Sequence, residues 1–171
     1  INGLFILAAA MHESKYGTSD KAHEKNNLFG VEVFDNTSND GTVYSSPAES
    51  IQAFAGQHMD QNYADTLYGG YYNGAAPGNK TTGINVRYAS DPEWGAKVAG
   101  HMYRIDAALG KKDLNKYKLG ITNFPGVNVR TAPGGKLLYE FGRNYLGINE
   151  AFGYPVIITG KQSGSYKIVS D

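Results

Sequence analysis

The sequence predicts an α+β fold: a mainly helical N-terminal lobe followed by a small β-barrel-like lobe. Three observations predict it. Apolar residues recur at helical spacing in three stretches before residue 110. The polar triplet Lys111-Lys112-Asp113 then breaks the pattern. Beyond it come only short β-like runs separated by turn residues. A length of 171 residues suits one domain, or one domain with a small appendage, and 41% apolar residues are enough for a core.

Residues 1–16 read as a helix, with Leu4, Leu7, Ala8 and Met11 on one apolar stripe that Phe5 and Ala9 widen, and Gly17 as the stop. Residues 26–45 read as extended and loop-rich: Val31 and Val33 alternate with Glu32, and Asp35 to Gly41 form a turn cluster. Ser46-Pro47-Ala48-Glu49 is a helix start, because Ser46 can cap, Pro47 suits the first helical position and Glu49 can reach back. Ile51, Phe54, Ala55, His58 and Met59 keep helical spacing, so this helix is predicted to run to about Tyr63. The Gly-, Asn- and Thr-rich residues 73–86 read as a loop placed to wall a cleft. Ser90-Asp91-Pro92-Glu93 repeats the capping pattern, and the helix after it carries Trp94, Val98, Met102, Ile105 and Leu109 on one face until Gly110. The β-like runs are 127–130, 137–141, 154–158 and 166–169, at a spacing that suits a small barrel.

Composition removes several classes of function. Formal net charge is zero and no basic run occurs, so neither nucleic acid nor anionic lipid is an expected partner. The absence of cysteine excludes disulfides, thiolate metal sites and a cysteine nucleophile. His12, His23, His58 and His101 form no His-x-x-x-His pair, so no metal site is expected. No P-loop, nucleophile elbow or dinucleotide fingerprint appears. The apolar run Leu4 to Met11 is too short to span a bilayer. The chain opens inside a helix, which reads as a fragment of a longer protein with any export signal upstream.

The residue that carries chemistry is Glu13, at the end of the first apolar run. A helix that enters a core and ends in a carboxylic acid sets that acid against apolar walls, and burial raises its pKa. A glycosidase needs such a proton donor. On its own, Glu13 reads equally as a helix-end cap or as the partner of Lys15 or a distant arginine.

Its surroundings narrow the reading. Glu13-Ser14-Lys15-Tyr16-Gly17, then Asn26-Asn27-Leu28-Phe29-Gly30, then Tyr88-Ala89-Ser90-Asp91-Pro92-Glu93-Trp94 occur in that order. Together they resemble the glucosaminidase family of bacterial peptidoglycan hydrolases, lysozyme-like autolysins that cut after N-acetylglucosamine. The resemblance implies a helical lysozyme-like lobe over about residues 1–112, with a cleft beside a short β-hairpin. It implies an endo-β-N-acetylglucosaminidase with Glu13 as general acid, acting as a monomer on the peptidoglycan glycan strand. No cofactor is required, and the place of action is the outside of a bacterial cell, at the wall.

The second catalytic group stays open. Glu32, Asp35 and Asp40 lie where the family's hairpin carries candidate acids, and Glu32 and Asp35 are the catalytic candidates; turn formation or a solvent-facing position accounts for them equally well. N-acetylglucosamine also offers its own 2-acetamido oxygen as nucleophile, a route that needs only groups to orient it. Tyr88 stands at the family's position for a tyrosine beside the acid, or is a structural tyrosine before a helix cap. Asn27 and Phe29 are candidates to line the cleft, Asn27 by bonding sugar hydroxyls or else by holding a turn, Phe29 unless it fills the core; Tyr68, Tyr71 and Tyr72 either stack on sugar rings or form a buried cluster. Trp94, on the inward stripe of its helix, reads as core.

Residues 119–171 carry Asn128-Val129-Arg130-Thr131-Ala132-Pro133-Gly134-Gly135 and Tyr166-Lys167-Ile168, and resemble bacterial SH3-like wall-associated domains, shortened at the C-terminal end. Two other functions fit the same residues: a non-catalytic wall-binding module, and a lytic transglycosylase or muramidase on the same substrate.

Overall fold

The computed structural model describes residues 1–32, 41–65, 70–142 and 153–169. Its first helix, α1, spans Gly3–Glu13. The Asn2 side chain accepts hydrogen bonds from the Leu4 and Phe5 amides, so the helix begins two residues inside the predicted start. Phe5, Ile6, Ala8, Ala9 and Ala10 are buried, whereas Leu7 is 48% exposed. The three alanines carry so little bulk that neighbouring elements close on them; of the predicted stripe Ala8 is buried with the flanking Phe5 and Ala9, while Leu4 and Met11 are half-buried and Leu7 faces outward.

A short helix α2, Asp20–Lys25, follows, capped by Ser19 and ended by Asn26 in the left-handed region. Nothing in the apolar pattern announced it. Among the described residues no strand precedes Lys118. The predicted hairpin includes residues 33–40, which lie outside the described residues; at its base the Thr42 amide donates to the Val31 carbonyl at 3.1 Å.

Helix α3, Pro47–Ala53, starts as predicted. Ser46 Oγ accepts from the Glu49 amide, and the Glu49 carboxylate accepts from the Ser45 amide and hydroxyl. The helix then widens into a π-helical segment, Phe54–Tyr63, so the whole element ends where the spacing placed it.

Residues 73–86 do not wall the cleft. They fold into tight turns, ending in the 3₁₀ turn Ile84–Val86, packed under the start of helix α4, Trp94–Ala108. A Cβ on Gly95 would lie 1.9 Å from the Gly78 carbonyl oxygen, so the loop and the helix approach backbone to backbone. Asn85 is fully buried and joins them: its amide donates to the Asp91 and Pro92 carbonyls and its oxygen accepts from the Ala89 amide. Asp91, not Ser90, supplies the side-chain bond at the helix start, accepting from the Glu93 amide at 2.9 Å. Trp94 and Val98 are buried on α4 as expected, but Leu109 is 60% exposed because α4 has already ended at Ala108.

The helical lobe has one core, formed by α1, Phe29, Phe54, Met59, Trp94 and Val98. Phe29 and Phe54 stack face to face, 3.8 Å between centroids, and Phe5 meets Trp94 edge-on at 6.5 Å. Burying each of these large side chains contributes about 1.5–3 kcal/mol.

Asp106, buried on the last turn of α4, accepts from the Asp113 and Leu114 amides and so directs the chain out of the lobe. Two antiparallel sheets follow. One has the strand order β1 (Lys118–Ile121), β4 (Pro155–Gln162), β5 (Ser165–Val169); the other pairs β2 (Val127–Arg130) with β3 (Leu137–Phe141). Four of the strands fall on the predicted runs, and β1 is additional. The fold is α+β.

Candidate active site

Glu13 is the last residue of α1, and the three residues after Ser14 are all left-handed: Lys15 at φ 51°, Tyr16 at 62° and Gly17 at 80°. Two of these are not glycine, and such backbone costs on the order of 1–3 kcal/mol per residue. Ser14 holds the turn. Its buried hydroxyl donates to the Ala10 carbonyl at 2.5 Å and accepts from the Gly17 amide at 2.7 Å. The sharp turn ends the helix at the acid and turns the chain aside, leaving Glu13 at the floor of an open cleft of roughly 1230 Å³. That exceeds the roughly 300–1,000 Å³ of sites for drug-sized ligands and gives room for more than one sugar ring.

The walls come from α2, residues 27–32, the π-helical segment and residues 88–90. A helix closed by i→i+5 bonds repeats its face every four to five residues, and Phe54, His58 and Tyr63 all reach the cleft.

The Trp94 indole N–H donates to Glu13 Oε1 at 2.6 Å. Trp94 is 1% exposed, so the bond is made inside the core. Burial pushes the Glu13 carboxyl above its ordinary value, and the Trp94 bond opposes that by a smaller amount. In the protonated acid, one oxygen accepts from Trp94 and the other is left to donate a proton into the cleft. The sequence pattern placed Trp94 in the core, and so it is; what periodicity hides is that a buried indole N–H needs a partner, and here the partner is the acid.

Tyr88 packs on this pair. Its ring lies 4.5 Å from Trp94, 5.7 Å from Tyr63 and 6.1 Å from Phe54. Burial first, and the charge of Glu13 second, hold its phenol well above the ordinary value, so Tyr88 is a neutral O–H donor. The hydroxyl meets the Phe29 carbonyl at 3.5 Å, a long contact that leaves the proton free for a better acceptor.

The other expected site residues divide. Asn27 lines the cleft, but its side chain is occupied internally: the amide donates to the Val31 and Thr42 carbonyls, and the oxygen accepts from the Val31 and Phe29 amides. It holds the 27–31 turn. Phe29 borders the cleft from the core, 3% exposed. Glu32 lines the same cleft as Glu13, exposed, at φ 58°, accepting from the Thr42 hydroxyl at 2.8 Å. Asp35, Asp40 and Tyr68 lie outside the described residues. Tyr71 is absent from the cleft walls but touches Tyr63, 5.4 Å between centroids. Tyr72 is elsewhere: its hydroxyl donates to the Gly153 carbonyl and ties the helical lobe to the β segment. Among the described residues no group of three His, Cys, Asp or Glu side chains is placed to hold a metal, and no helix is long and apolar enough to cross a membrane.

Residues 1–107 match the model of a family described as "Glucosaminidase: Mannosyl-glycoprotein endo-beta-N-acetylglucosaminidase". Two curated relatives, from Streptococcus pneumoniae serotype 4 and from its strain R6, both bear the name "Putative endo-beta-N-acetylglucosaminidase". Each is 37% identical over 113 residues, 66% of this chain but only 16% and 15% of the relatives' own lengths. The family match spans well over half of the sequence and contains Glu13, Tyr88 and Trp94, and on that ground the chain belongs to the glucosaminidase family, glycosidases that act on glycans.

Proposed function

We propose that the chain is a peptidoglycan hydrolase, an endo-β-N-acetylglucosaminidase that cleaves the β-1,4 bond after N-acetylglucosamine with Glu13 as general acid. The observation that carries this reading is the carboxyl of Glu13 held by the Trp94 indole in the lining of an open cleft.

The reaction follows from the groups present. Glu13 gives its proton to the glycosidic oxygen as the C1–O bond breaks, and the leaving sugar departs as an alcohol. The 2-acetamido carbonyl oxygen of the N-acetylglucosamine that keeps C1 bonds to that carbon, and the positive charge is carried by the oxazolinium so formed. The Tyr88 hydroxyl orients that acetamide. Glu13, now a carboxylate, takes a proton from water as the water oxygen attacks C1 and the ring of the intermediate opens. Glu32 lines the same cleft, as do Asp20 and Glu24, and is the sequence's candidate to activate water directly if the acetamide takes no part.

The place of action is the bacterial wall, outside the membrane. The segment 119–171 is read as an SH3-like wall-associated unit from its Asn128-to-Gly135 motif.

Mass spectrometry of glycan released from purified walls tests the reaction. A reducing N-acetylglucosamine end is the expected product. An anhydromuramic end would mean a lytic transglycosylase, a reducing muramic end a muramidase, and retention on walls without release a binding module.

A further inference from the structure

Tyr63, Tyr71 and Arg87 continue the site beyond the cleft. The aromatic rings run in unbroken contact from the acid outward: Trp94 to Tyr88 at 4.5 Å, Tyr88 to Tyr63 at 5.7 Å, and Tyr63 to Tyr71 at 5.4 Å. The last ring is 45% exposed, and the Arg87 guanidinium sits over it, 5.8 Å from the centroid. Arg87 is exposed and directly precedes Tyr88, on the segment that Asn85 anchors to α4.

Arg87 is not a partner in the Lys97–Asp91 ion pair, and its guanidinium contacts the Tyr71 ring. A planar fork of N–H donors is parked on an aromatic face at the far end of an aromatic row. A sugar ring bearing a carboxylate matches such a surface: its C–H face lies on the tyrosine and its carboxylate accepts from the guanidinium.

We infer that Tyr71 and Arg87 form a subsite for a carboxylate-bearing saccharide unit, and that Arg87 makes the enzyme select acidic over neutral glycan strands. This rests on the glycan-cleaving reading above and gives it a substrate preference. In a peptidoglycan strand the carboxylate has two possible sources, the ether side chain of the alternate sugar itself or the peptide built on it.

The test uses the full chain with soluble glycan strands of three kinds: stripped of peptide, peptide-bearing, and stripped strands with their carboxylates amidated. Affinity is read by calorimetry on Glu13→Gln protein, with and without Arg87→Gln, so that binding is measured whether or not the parent turns over. KM and kcat are read on proteins that retain Glu13.

Losing a charge-assisted contact at an exposed site is expected to raise KM and the dissociation constant roughly five- to tenfold, with kcat within about twofold. Arg87→Lys is expected to fall between the two, since it keeps charge and loses the fork. The loss shrinks at high salt. A loss confined to stripped strands assigns the carboxylate to the sugar ether, and one on peptide-bearing strands assigns it to the peptide. Unchanged affinity on both carboxylate-bearing strands, or an equal loss on amidated strands, overturns the inference. A parent that releases no reducing ends while its affinity depends on Arg87 would overturn the proposed reaction and leave the subsite standing.

Discussion

Replacing Trp94 with Phe removes the indole N–H that holds Glu13 and leaves an aromatic ring in its place. The bond is 2.6 Å long and made by a side chain that is 1% exposed, so water does not substitute for it freely. A buried hydrogen bond to a carboxyl group is worth about 1.5–3 kcal/mol. If the bond serves to aim the acid at the glycosidic oxygen, its loss appears in the transition state, and kcat falls roughly ten- to hundredfold. The smaller ring also loosens the contacts with Phe5 and Tyr88, at a cost of roughly 1–3 kcal/mol in stability. Each kcal/mol lowers Tm by about 2–4 °C in a chain of this size. Rates are therefore compared at a temperature well below both melting points. The Trp94 bond pulls the Glu13 pKa down against the larger upward push of burial, so the variant's basic limb of kcat/KM moves to higher pH. Release of reducing ends from soluble strands across pH measures both effects. A kcat within twofold of the parent, with the limb unmoved, would show that Trp94 is only a core residue and that the acid needs no partner.

Gly95→Ala places a methyl group 1.9 Å from the Gly78 carbonyl, a backbone atom that cannot swing aside, so a loss of roughly 2–3 kcal/mol and several degrees of Tm is expected in calorimetry; an unchanged Tm would mean that the loop 73–86 does not rest on α4. Tyr72→Phe removes the link to the Gly153 carbonyl, and limited proteolysis between residues 109 and 118 should quicken while glycan cleavage by the helical lobe stays within about twofold; equal proteolysis rates would refute the tie. The Glu13 carboxyl has a folded pKa above its unfolded value, so its contribution to stability is fully present below the unfolded pKa and is lost as pH rises through the folded one. Glu13→Gln, which stays neutral, should therefore gain stability relative to the parent as pH rises from 4 to 8, and a difference in Tm that is flat with pH would contradict a buried acid.

Much of the helical lobe was readable because its signals are local. Ser46, Pro47 and Glu49 mark a helix start by side-chain chemistry that acts within four residues, and the structure uses all three. The family motifs brought Glu13 and Tyr88 to attention, and their nearness in space shows in Trp94, which bonds the one and packs on the ring of the other. What was not readable depends on packing between distant segments. A tryptophan on an inward stripe looks the same whether its N–H meets a backbone carbonyl or a carboxyl. Asn27 reads either as a bond to sugar hydroxyls or as the holder of a turn, and only packing decides: its four hydrogen bonds are made to its own turn and to Thr42. Helix α2, Asp-Lys-Ala-His-Glu-Lys, has no apolar period, and Ser19 was its only signal. The widening of α3 into π-helical winding, which brings Tyr63 to the cleft, has no counterpart in residue spacing.

The claim on which the mechanism depends is a proton kept on Glu13 by its buried site. Carbon-13 NMR of the labelled Glu13 carboxyl, assigned by its loss in Glu13→Gln, titrates that group directly. Burial sets the expected midpoint above that of the exposed glutamates in the same spectrum, with a further rise in Trp94→Phe. A midpoint at or below theirs would mean that the carboxyl is already ionised where the enzyme works, and Glu13 would not be the acid.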